Sequence, residues 1–262
     1  MKTGGRSLSD AVAGACEQRD PGSARVNVFL DEFAAGPPEV WAGLDYLSGH
    51  LSCEALDLLP STTFSFTVVR EPVERTLSHF AHVRGAAEVV EEWGELTLEQ
   101  FLEEPRWRDL AVNYQARHLV HEVGLTEIVA GRSSPAERFA ALGPPFPAEH
   151  ELPLQSLFDC GPMSLDGDDL LSAALGRLGR LDLVGTTEHL DDVAAAVMDV
   201  LGLPRARVPH LHATPGRPAS ADLDPALRRR IEEVTAVDRE LHRLVGSGRL
   251  PPRPRSVRRS PP

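Results

Sequence analysis

The first residues of the chain have the composition of a phosphate-binding loop. Two glycines let backbone N–H groups turn toward an anion at the start of a helix, and one ammonium and two hydroxyls lie beside them. The segment reads Lys2-Thr3-Gly4-Gly5-Arg6-Ser7-Leu8. Lys2 is placed to neutralise charge on an oxygen that departs from phosphorus or sulfur. The same glycines could also be a turn that caps an ordinary helix, because the GxxxxGK[ST] order of nucleotide triphosphatases is absent.

A second candidate anion site follows the strongest predicted strand, residues 62–69. Arg70 comes directly after this strand, and Pro72 can open the next helix, which carries Ser78 two turns later. Ligands bind at the carboxyl ends of parallel strands. A guanidinium matches the geometry of a phosphate, and Ser78 could add a hydroxyl on the same side. We therefore assign Arg70 and Ser78 to phosphate binding.

The alternative for Arg70 is a surface ion pair with Glu71 or Glu74. Arg75 is treated differently, because its neighbour Glu74 and its helical position favour a structural ion pair. His79 and His82 flank Ser78 at helical spacing, and we expect them only to decorate that helix.

The bulk composition is that of an ordinary globular protein, with 42% hydrophobic and 25% charged residues. Acidic residues outnumber basic ones by 39 to 27, which gives a formal charge of −12. This charge disfavours binding to nucleic acid or to an anionic membrane surface. Any anionic ligand must therefore be held by a local site.

Metal binding and membrane insertion have no support in the sequence. No Cys or Cys/His cluster has zinc-ligand spacing, and we expect reduced, buried thiols at the widely spaced Cys16, Cys53 and Cys160. No apolar run approaches the ~20 residues that span a bilayer, and residues 1–15 lack the apolar core of a signal peptide. We predict a cytoplasmic protein without a metal.

Strand-like and helix-like segments alternate along the chain. Predicted strands lie at 26–30, 62–69 and 181–185. Predicted helices lie at 7–16, 72–83, 98–102, 113–119, 193–201 and 223–244. This alternation predicts an α/β fold with a mainly parallel sheet covered on both faces. We expect one domain over residues 1–248 and a disordered tail rich in proline and arginine over 249–262.

Several of these segments resemble the sulfotransferases that use 3′-phosphoadenosine 5′-phosphosulfate (PAPS). Residues 2–8 resemble the family's 5′-phosphosulfate loop, usually written PKTGGTSL. The segment from Arg70-Glu71-Pro72 to Ser78 resembles the RDPxxRxxS signature that binds the 3′-phosphate. Residues 184–190 and 113–117 resemble the family's VGxxExL and N-x-Q-x-R segments. The resemblance implies a P-loop-like three-layer sandwich and PAPS as the sulfonate donor.

The resemblance also implies a catalytic base. In the uronyl 2-O-sulfotransferase group a histidine in a similar Gly-His segment has this role, and here that segment is Ser48-Gly49-His50. An imidazole can accept a proton from an acceptor hydroxyl at neutral pH. His50 could instead be a buried histidine that caps a loop. Glu54 is the reserve candidate, since other sulfotransferases use a glutamate.

The chain departs from the family pattern at two places. Arg6 stands where the family loop has Thr, and its side chain could bind phosphate or narrow the loop. The family loop also follows a buried central strand, and no such strand precedes Lys2 in this sequence. We therefore expect a sheet whose first strand is missing.

Three functions remain open at this point. The favoured one is a sulfotransferase that moves a sulfonate from PAPS to the hydroxyl of a small molecule or glycan and releases 3′-phosphoadenosine 5′-phosphate (PAP). The second is a catalytically silent protein with the same fold that binds PAP, another nucleotide or a partner. The third, a nucleotide kinase-like phosphotransferase, is disfavoured because no Walker lysine or acidic magnesium ligand can be placed.

Overall fold

The computed structural model describes residues 5–85, 91–142, 165–208 and 216–250, which form a mixed α/β fold. Its strands are β1 (Ala24–Phe29), β2 (Tyr46–His50), β3 (Phe66–Val69) and β4 (Leu183–Thr186). In this part of the chain the strands form two separate parallel pairs, β1 with β2 and β3 with β4. The described strands therefore form two small sheets, where the sequence predicted one mainly parallel sheet.

Helices make up most of the remaining described residues. They are α1 (Gly5–Arg19), α2 (Leu30–Ala35), α3 (Pro38–Ala42), α4 (Pro72–Gly85), α5 (Leu98–Glu103), α6 (Pro105–Arg108), α7 (Tyr114–Val120), α8 (Leu125–Val129), α9 (Pro135–Leu142), α10 (Gly167–Leu178), α11 (Leu190–Val200), α12 (Pro225–Val234) and α13 (Ala236–Gly246). Short 3-10 turns lie at Cys53–Asp57, Glu91–Glu95, Thr187–His189 and Ser220–Asp222. None of the described helices has both the length and the apolar character needed to cross a bilayer.

The pairing of β1 with β2 depends on a bulge and on a glycine. Asn27 adopts a left-handed backbone conformation (φ 57°) where the register shifts between Arg25 and Val28. Asparagine tolerates this conformation better than most residues. Opposite the bulge, a Cβ on Gly49 would lie 1.9 Å from the carbonyl oxygen of Val28. Only glycine lets the two backbones come this close.

The β3–β4 pair is positioned by its first residues and covered on both faces. The Asp182 carboxylate accepts hydrogen bonds from the Ser65 N–H (2.8 Å) and hydroxyl (2.9 Å), which sets the start of the ladder. Along β3, Val68 belongs to the core formed with α1 and α11. Its neighbour Val69 belongs to the core formed with α7, α10 and α13. Alternate side chains of the strand therefore enter opposite cores.

Helix α1 lies against the start of β2. At its carboxyl end, Arg19 donates a 2.7 Å hydrogen bond to Asp45, the residue before β2. Ser9, one turn into the helix, is 3.2 Å from the Tyr46 hydroxyl. The buried face of α1 carries Leu8 and Val12, each at most 1% exposed, and packs with α11. Helix α1 is thus tied at two points to the first residues of β2.

Most helices and strands were predicted from the sequence, but several of their boundaries differ from those in the structure. The strand predicted at 26–30 is Ala24–Phe29, and Leu30 already begins α2. Of the strand predicted at 62–69, only the last four residues are extended in a ladder. The single helix predicted at 223–244 is divided at Thr235 into α12 and α13. Strand β2 was not predicted, and residues 251–262 of the tail predicted at 249–262 lie outside the described residues.

The thiols agree in part with the expectation of buried cysteines. Cys16 is buried, Cys53 is half-buried and both are free, whereas Cys160 lies outside the described residues. Burial raises the pKa of both described thiols, so each is a weak nucleophile at neutral pH.

We predict that Gly49→Ala destabilises the protein by about 1–3 kcal/mol, because the new methyl group would collide with the β1 backbone. Gly14→Ala is the matched control. Gly14 is exposed in the interior of α1 with open space around it, so alanine there should stabilise the helix by about 0.5–1 kcal/mol. Urea unfolding of both variants measures the difference. Equal stabilities would contradict the tight β1–β2 approach.

Candidate functional site

Only part of the predicted phosphate loop lies within the described residues. Lys2, Thr3 and Gly4 fall outside them, and Gly5 is the first residue of α1. Arg6 is exposed and lies 4.0 Å from Asp10 on the next turn of the helix. Ser7 is buried, at 8% exposed. Of the two side chains, only that of Arg6 is open to solvent.

Arg70 lies at the carboxyl end of β3, and its backbone is fixed by a glutamine. The Gln115 side-chain oxygen accepts the Arg70 N–H at 2.8 Å, and the Gln115 amide nitrogen donates to the Arg70 carbonyl at 2.9 Å. These two hydrogen bonds resemble one step of a β-ladder, with the Gln115 side chain in place of a neighbouring strand. It holds the chain at the point where the strand ends and α4 is about to begin.

Gln115 is in turn held by a buried carboxylate. The Asp238 oxygens accept the backbone N–H groups of Gln115 (3.0 Å) and Ala116 (2.8 Å) at the start of α7. Burial raises the pKa of Asp238, and the positive charge of Arg75 and these hydrogen bonds oppose that rise. Carboxylates are favourable at a helix amino terminus. Asp238 therefore joins α13 to α7.

Asn113 strengthens the same junction. It has a left-handed backbone (φ 42°), and its side-chain oxygen accepts the N–H groups of Val237 (2.9 Å) and Asp238 (3.3 Å). The N-x-Q-x-R segment thus has a positioning role here, since its Asn and Gln connect α13 to Arg70.

Arg75 has a structural role, as predicted, but the predicted ion pair with Glu74 is wrong. The side chain is fully buried and donates a 2.6 Å hydrogen bond to the Leu110 carbonyl. Its guanidinium also lies 4.6 Å from the Tyr114 ring centroid and 3.2 Å from His79 Nδ1. Arg75 faces the interior, between α4 and the chain that leads into α7.

Glu74 instead lies between two other arginines. Its Oε2 is 3.5 Å from Arg70 and 2.7 Å from Arg217, and all three side chains are only 19–28% exposed. Burial lowers the pKa of Arg70, and the nearby Arg217 lowers it further, although an arginine so placed remains charged. Two guanidiniums sharing one carboxylate form a site that can bind an oxyanion.

The helix that follows Arg70 offers less to a ligand than the sequence suggested. The Glu71 carboxylate accepts the N–H groups of Val73 (3.1 Å) and Glu74 (2.8 Å), so it occupies the first amides of α4. Ser78 is buried at 4% exposed. It is not among the residues that line the cavity described next.

His50 lines a cavity of about 1190 Å³ that lies between β2 and β3. It is the last residue of β2, and its ring stacks on Phe29 of β1 with centroids 5.0 Å apart. Arg6 lines the same cavity, as do four aromatic or imidazole side chains from α4 and α7, namely His79, His82, Tyr114 and His118. His50 and Arg6 thus share this space, whereas Arg70 and Ser78 lie outside its walls.

The reserve base, Glu54, has a structural environment. It is 7% exposed, and its two oxygens accept the N–H groups of Val123 (2.7 Å) and Leu125 (3.0 Å) at the start of α8. It does not line the cavity. This geometry favours His50 over Glu54 as the candidate base.

Two of the histidines that line this cavity have lowered pKa values. Burial lowers the pKa of both His79 and His118 well below the ordinary value. The neighbouring charge of Arg75 lowers the pKa of His79 further. His79 was expected only to decorate α4, but its ring packs between Phe101 and Tyr114. The spacing of His79 from Ser78 could not predict this packing, because the packing depends on residues of α5 and α7.

The end of β4 and the loop before α12 contribute residues near Arg70. Glu188, in the VGxxExL segment, lies 3.2 Å from His242 and so joins the end of β4 to α13. The pKa of Glu188 is raised by burial, but hydrogen bonds, including those from Thr186 and His242, outweigh this effect and lower it overall. Arg217 was missed as a site residue, because a single arginine after Gly216 has no motif.

We compared the chain with protein-family models, with curated proteins and with solved structures, and none of the three comparisons found a match.

We predict that acid destabilises the protein through His79 and His118. Their folded pKa values lie below the unfolded value near 6.5, so the unfolded state binds more protons and stability falls as the pH drops below 6.5. Each histidine contributes up to about 1.4 kcal/mol per pH unit. Replacing His118→Gln should remove one such contribution from the slope of unfolding free energy between pH 6.5 and 5. An unchanged slope in His118→Gln would contradict the assignment.

Proposed function

We propose that this protein is a PAPS-dependent sulfotransferase with a P-loop-like three-layer sandwich. The main observation behind this proposal is that two guanidiniums, those of Arg70 and Arg217, share the Glu74 carboxylate at the carboxyl end of β3. Two such groups match the charge of a phosphate monoester, which a donor with a 3′-phosphate supplies. Glu74 would give up one or both arginines when that phosphate binds.

Additional support comes from how firmly Arg70 is held. Its backbone is held by Gln115, which is in turn held by the buried Asp238. The side chain that carries the guanidinium therefore extends from a fixed backbone position. A preorganised cation loses little conformational entropy when an anion binds. The resemblance of the sequence from Arg70 to Ser78 to a 3′-phosphate signature agrees with this role for Arg70. The buried Ser78 is less well placed for it.

In the proposed reaction an acceptor hydroxyl attacks the sulfur of PAPS in line with the bond to the phosphate. A new oxygen–sulfur bond forms as the sulfur–oxygen bond to the phosphate breaks, and the electron pair leaves on the phosphate of PAP. His50 takes the acceptor proton, for which its place in the cavity wall is suitable. Lys2 and the amides of residues 3–7 would stabilise the departing phosphate.

The acceptor enters this proposal only as a class. The cavity beside His50 is lined by hydroxyls as well as aromatic rings, among them Ser48, Thr67 and Tyr114. Hydroxyls and rings together suit a polyhydroxylated small molecule or a glycan. No metal has a role in this proposal, because PAP is itself the leaving group and the sulfonate passes directly to the acceptor hydroxyl.

A second candidate function is a silent protein that binds PAP without turnover. It is favoured by the split sheet, since β2 and β3 do not pair across the cavity in the described part of the chain. The test supplies PAPS labelled in its sulfonate together with pools of sugars and other hydroxyl compounds. Labelled product and an equal amount of PAP support the transferase, whereas PAP binding without product supports the silent protein.

We predict that Arg70→Ala weakens PAP binding by about 1.5–3 kcal/mol, the loss expected for a charge-assisted hydrogen bond. Isothermal titration calorimetry measures this change. Arg132→Ala removes an exposed arginine paired with Glu127 and should leave PAP affinity unchanged. If folded Arg70→Ala binds PAP as tightly as the parent chain, the arginine is structural and the donor assignment fails.

We predict that His50→Ala lowers turnover by roughly 10²–10⁴-fold with nearly intact PAPS affinity, since a general base acts mainly in the transition state. Turnover is measured by PAP release. In the paired experiment Glu54→Gln should lose stability but retain turnover per folded molecule, because the carboxylate fastens the start of α8. An inactive, folded Glu54→Gln beside an active His50→Ala would reverse the assignment.

A further inference from the structure

Phe29 is an exposed aromatic residue that contacts the candidate base. Its side chain is 46% exposed, and it lines the same cavity as His50. The two rings are stacked, with centroids 5.0 Å apart and planes within 4° of parallel. A side chain so open to solvent gains less from burial than a core residue does. An aromatic ring at position 29 is therefore better explained by His50 than by the core.

The stack depends on the bulge in β1. Ala24 pairs with Tyr46 before the bulge, and Phe29 pairs with His50 after it. Without this shift of register, the first pairing would continue and bring Val28 opposite His50. Val28 is 1% exposed and belongs to the core, on the other face of the strand from Phe29. A shift of one residue exchanges the two faces, so the bulge is what brings the exposed ring beside the imidazole.

The backbones of both strands are specialised at this place. Asn27 has its left-handed conformation where the register of β1 shifts, and Gly49 lets β2 approach the carbonyl of Val28. Bulges are uncommon in parallel pairs, and they often lie next to functional sites, where they redirect a side chain. Here the redirected side chain is that of Phe29, and its neighbour across the ladder is His50.

A phenyl ring in this position favours a histidine that accepts a proton. The face of an aromatic ring attracts a cation within about 6 Å of its centroid. The imidazole of His50 becomes such a cation when it takes the proton of the acceptor hydroxyl. The stack also restricts rotation of the imidazole, which keeps the base in one orientation. Phe29 would thus stabilise the transition state more than the ground state, in which the imidazole is neutral.

We propose that Phe29 is a positioning residue for the candidate base His50, an inference that rests on the proposed function for the role of His50. The ring of Phe29, placed by the bulge in β1, holds the imidazole in the wall of the cavity and stabilises the imidazolium that forms during sulfonate transfer. Phe29 acts through His50 and not on the reacting atoms.

The test measures PAP release from PAPS, with the sugar pool as acceptor, for the parent chain and its variants. Phe29→Leu keeps an apolar side chain but removes the ring, so kcat should fall about 3-fold to 30-fold with the KM for PAPS unchanged. Phe29→Tyr keeps the ring and should retain the parent kcat. Val40→Ala is the matched control, because Val40 is 47% exposed but does not line the cavity, and its kcat should not change.

A second variant changes the backbone and leaves both rings in the chain. Asn27→Val disfavours the left-handed conformation of the bulge, which β-branched residues rarely adopt. The stack of Phe29 on His50 should weaken, and NMR detects this as a smaller ring-current shift of the His50 ring protons. The kcat of folded Asn27→Val should fall together with that shift.

Three results would overturn this inference and leave the proposed function standing. The first is an active parent chain with the same kcat in folded Phe29→Leu. The second is an equal loss of kcat in Phe29→Leu and Phe29→Tyr, which indicates that the position only packs phenylalanine. The third is a parent chain whose His50 ring protons show no ring-current shift. A parent chain that releases no PAP with any acceptor would overturn the proposed function, and this inference with it.

Discussion

The buried carboxylate of Asp238 is the interaction on which the candidate site depends. It lies on α13, fully buried, yet its two hydrogen-bond partners are amides at the start of α7, more than 120 residues earlier in the chain. Burial of a charge without partners is costly. The fold meets this cost with helix amides and with the nearby charge of Arg75. Removing the charge of Arg75 would leave the helix amides alone to compensate this carboxylate.

The junction of α13 with α7 at Asp238 also fixes the backbone of Arg70. Asp238 fixes the first turn of α7, and the Gln115 side chain on that turn holds both backbone groups of Arg70. The other face of α7 presents Tyr114 and His118 to the cavity that His50 lines. One short helix thus connects the end of β3, where Arg70 lies, with the cavity that His50 lines.

The sequence predicted those helices and strands whose boundaries depend on their own residues and not on tertiary contacts. The apolar run before Arg70 and the proline at position 72 predicted the end of β3 and the start of α4, and both are confirmed. Strand β2 was missed, because Ser48 and Gly49 have no strand preference and the strand exists through its pairing with β1. The break between α12 and α13 was missed as well. Thr235 bonds back to Ile231 with its side chain, and the helical pattern of apolar residues continues across it.

The candidate site was predictable to the extent that it follows strand ends. Arg70 directly follows β3, as the sequence predicted, whereas His50 ends β2, a strand that the sequence did not predict. The partners that give these residues their environment could not be predicted, because Arg217, Asp238 and Glu54 make contacts with residues distant in sequence. Arg75 illustrates the same limit. Its neighbour in sequence suggested an ion pair, whereas tertiary packing buries it against Tyr114 and a backbone carbonyl.

The central claim is that the end of β3 recognises a 3′-phosphate, and a pair of titrations tests it most directly. PAP and adenosine 5′-phosphate differ only in that phosphate, so their affinities for the same protein isolate its contribution. If Arg70 and Arg217 bind it, PAP should bind more tightly by about 1.5–3 kcal/mol, roughly 10-fold to 150-fold, with the difference shrinking as salt is added. Equal affinities for the two nucleotides would contradict the account.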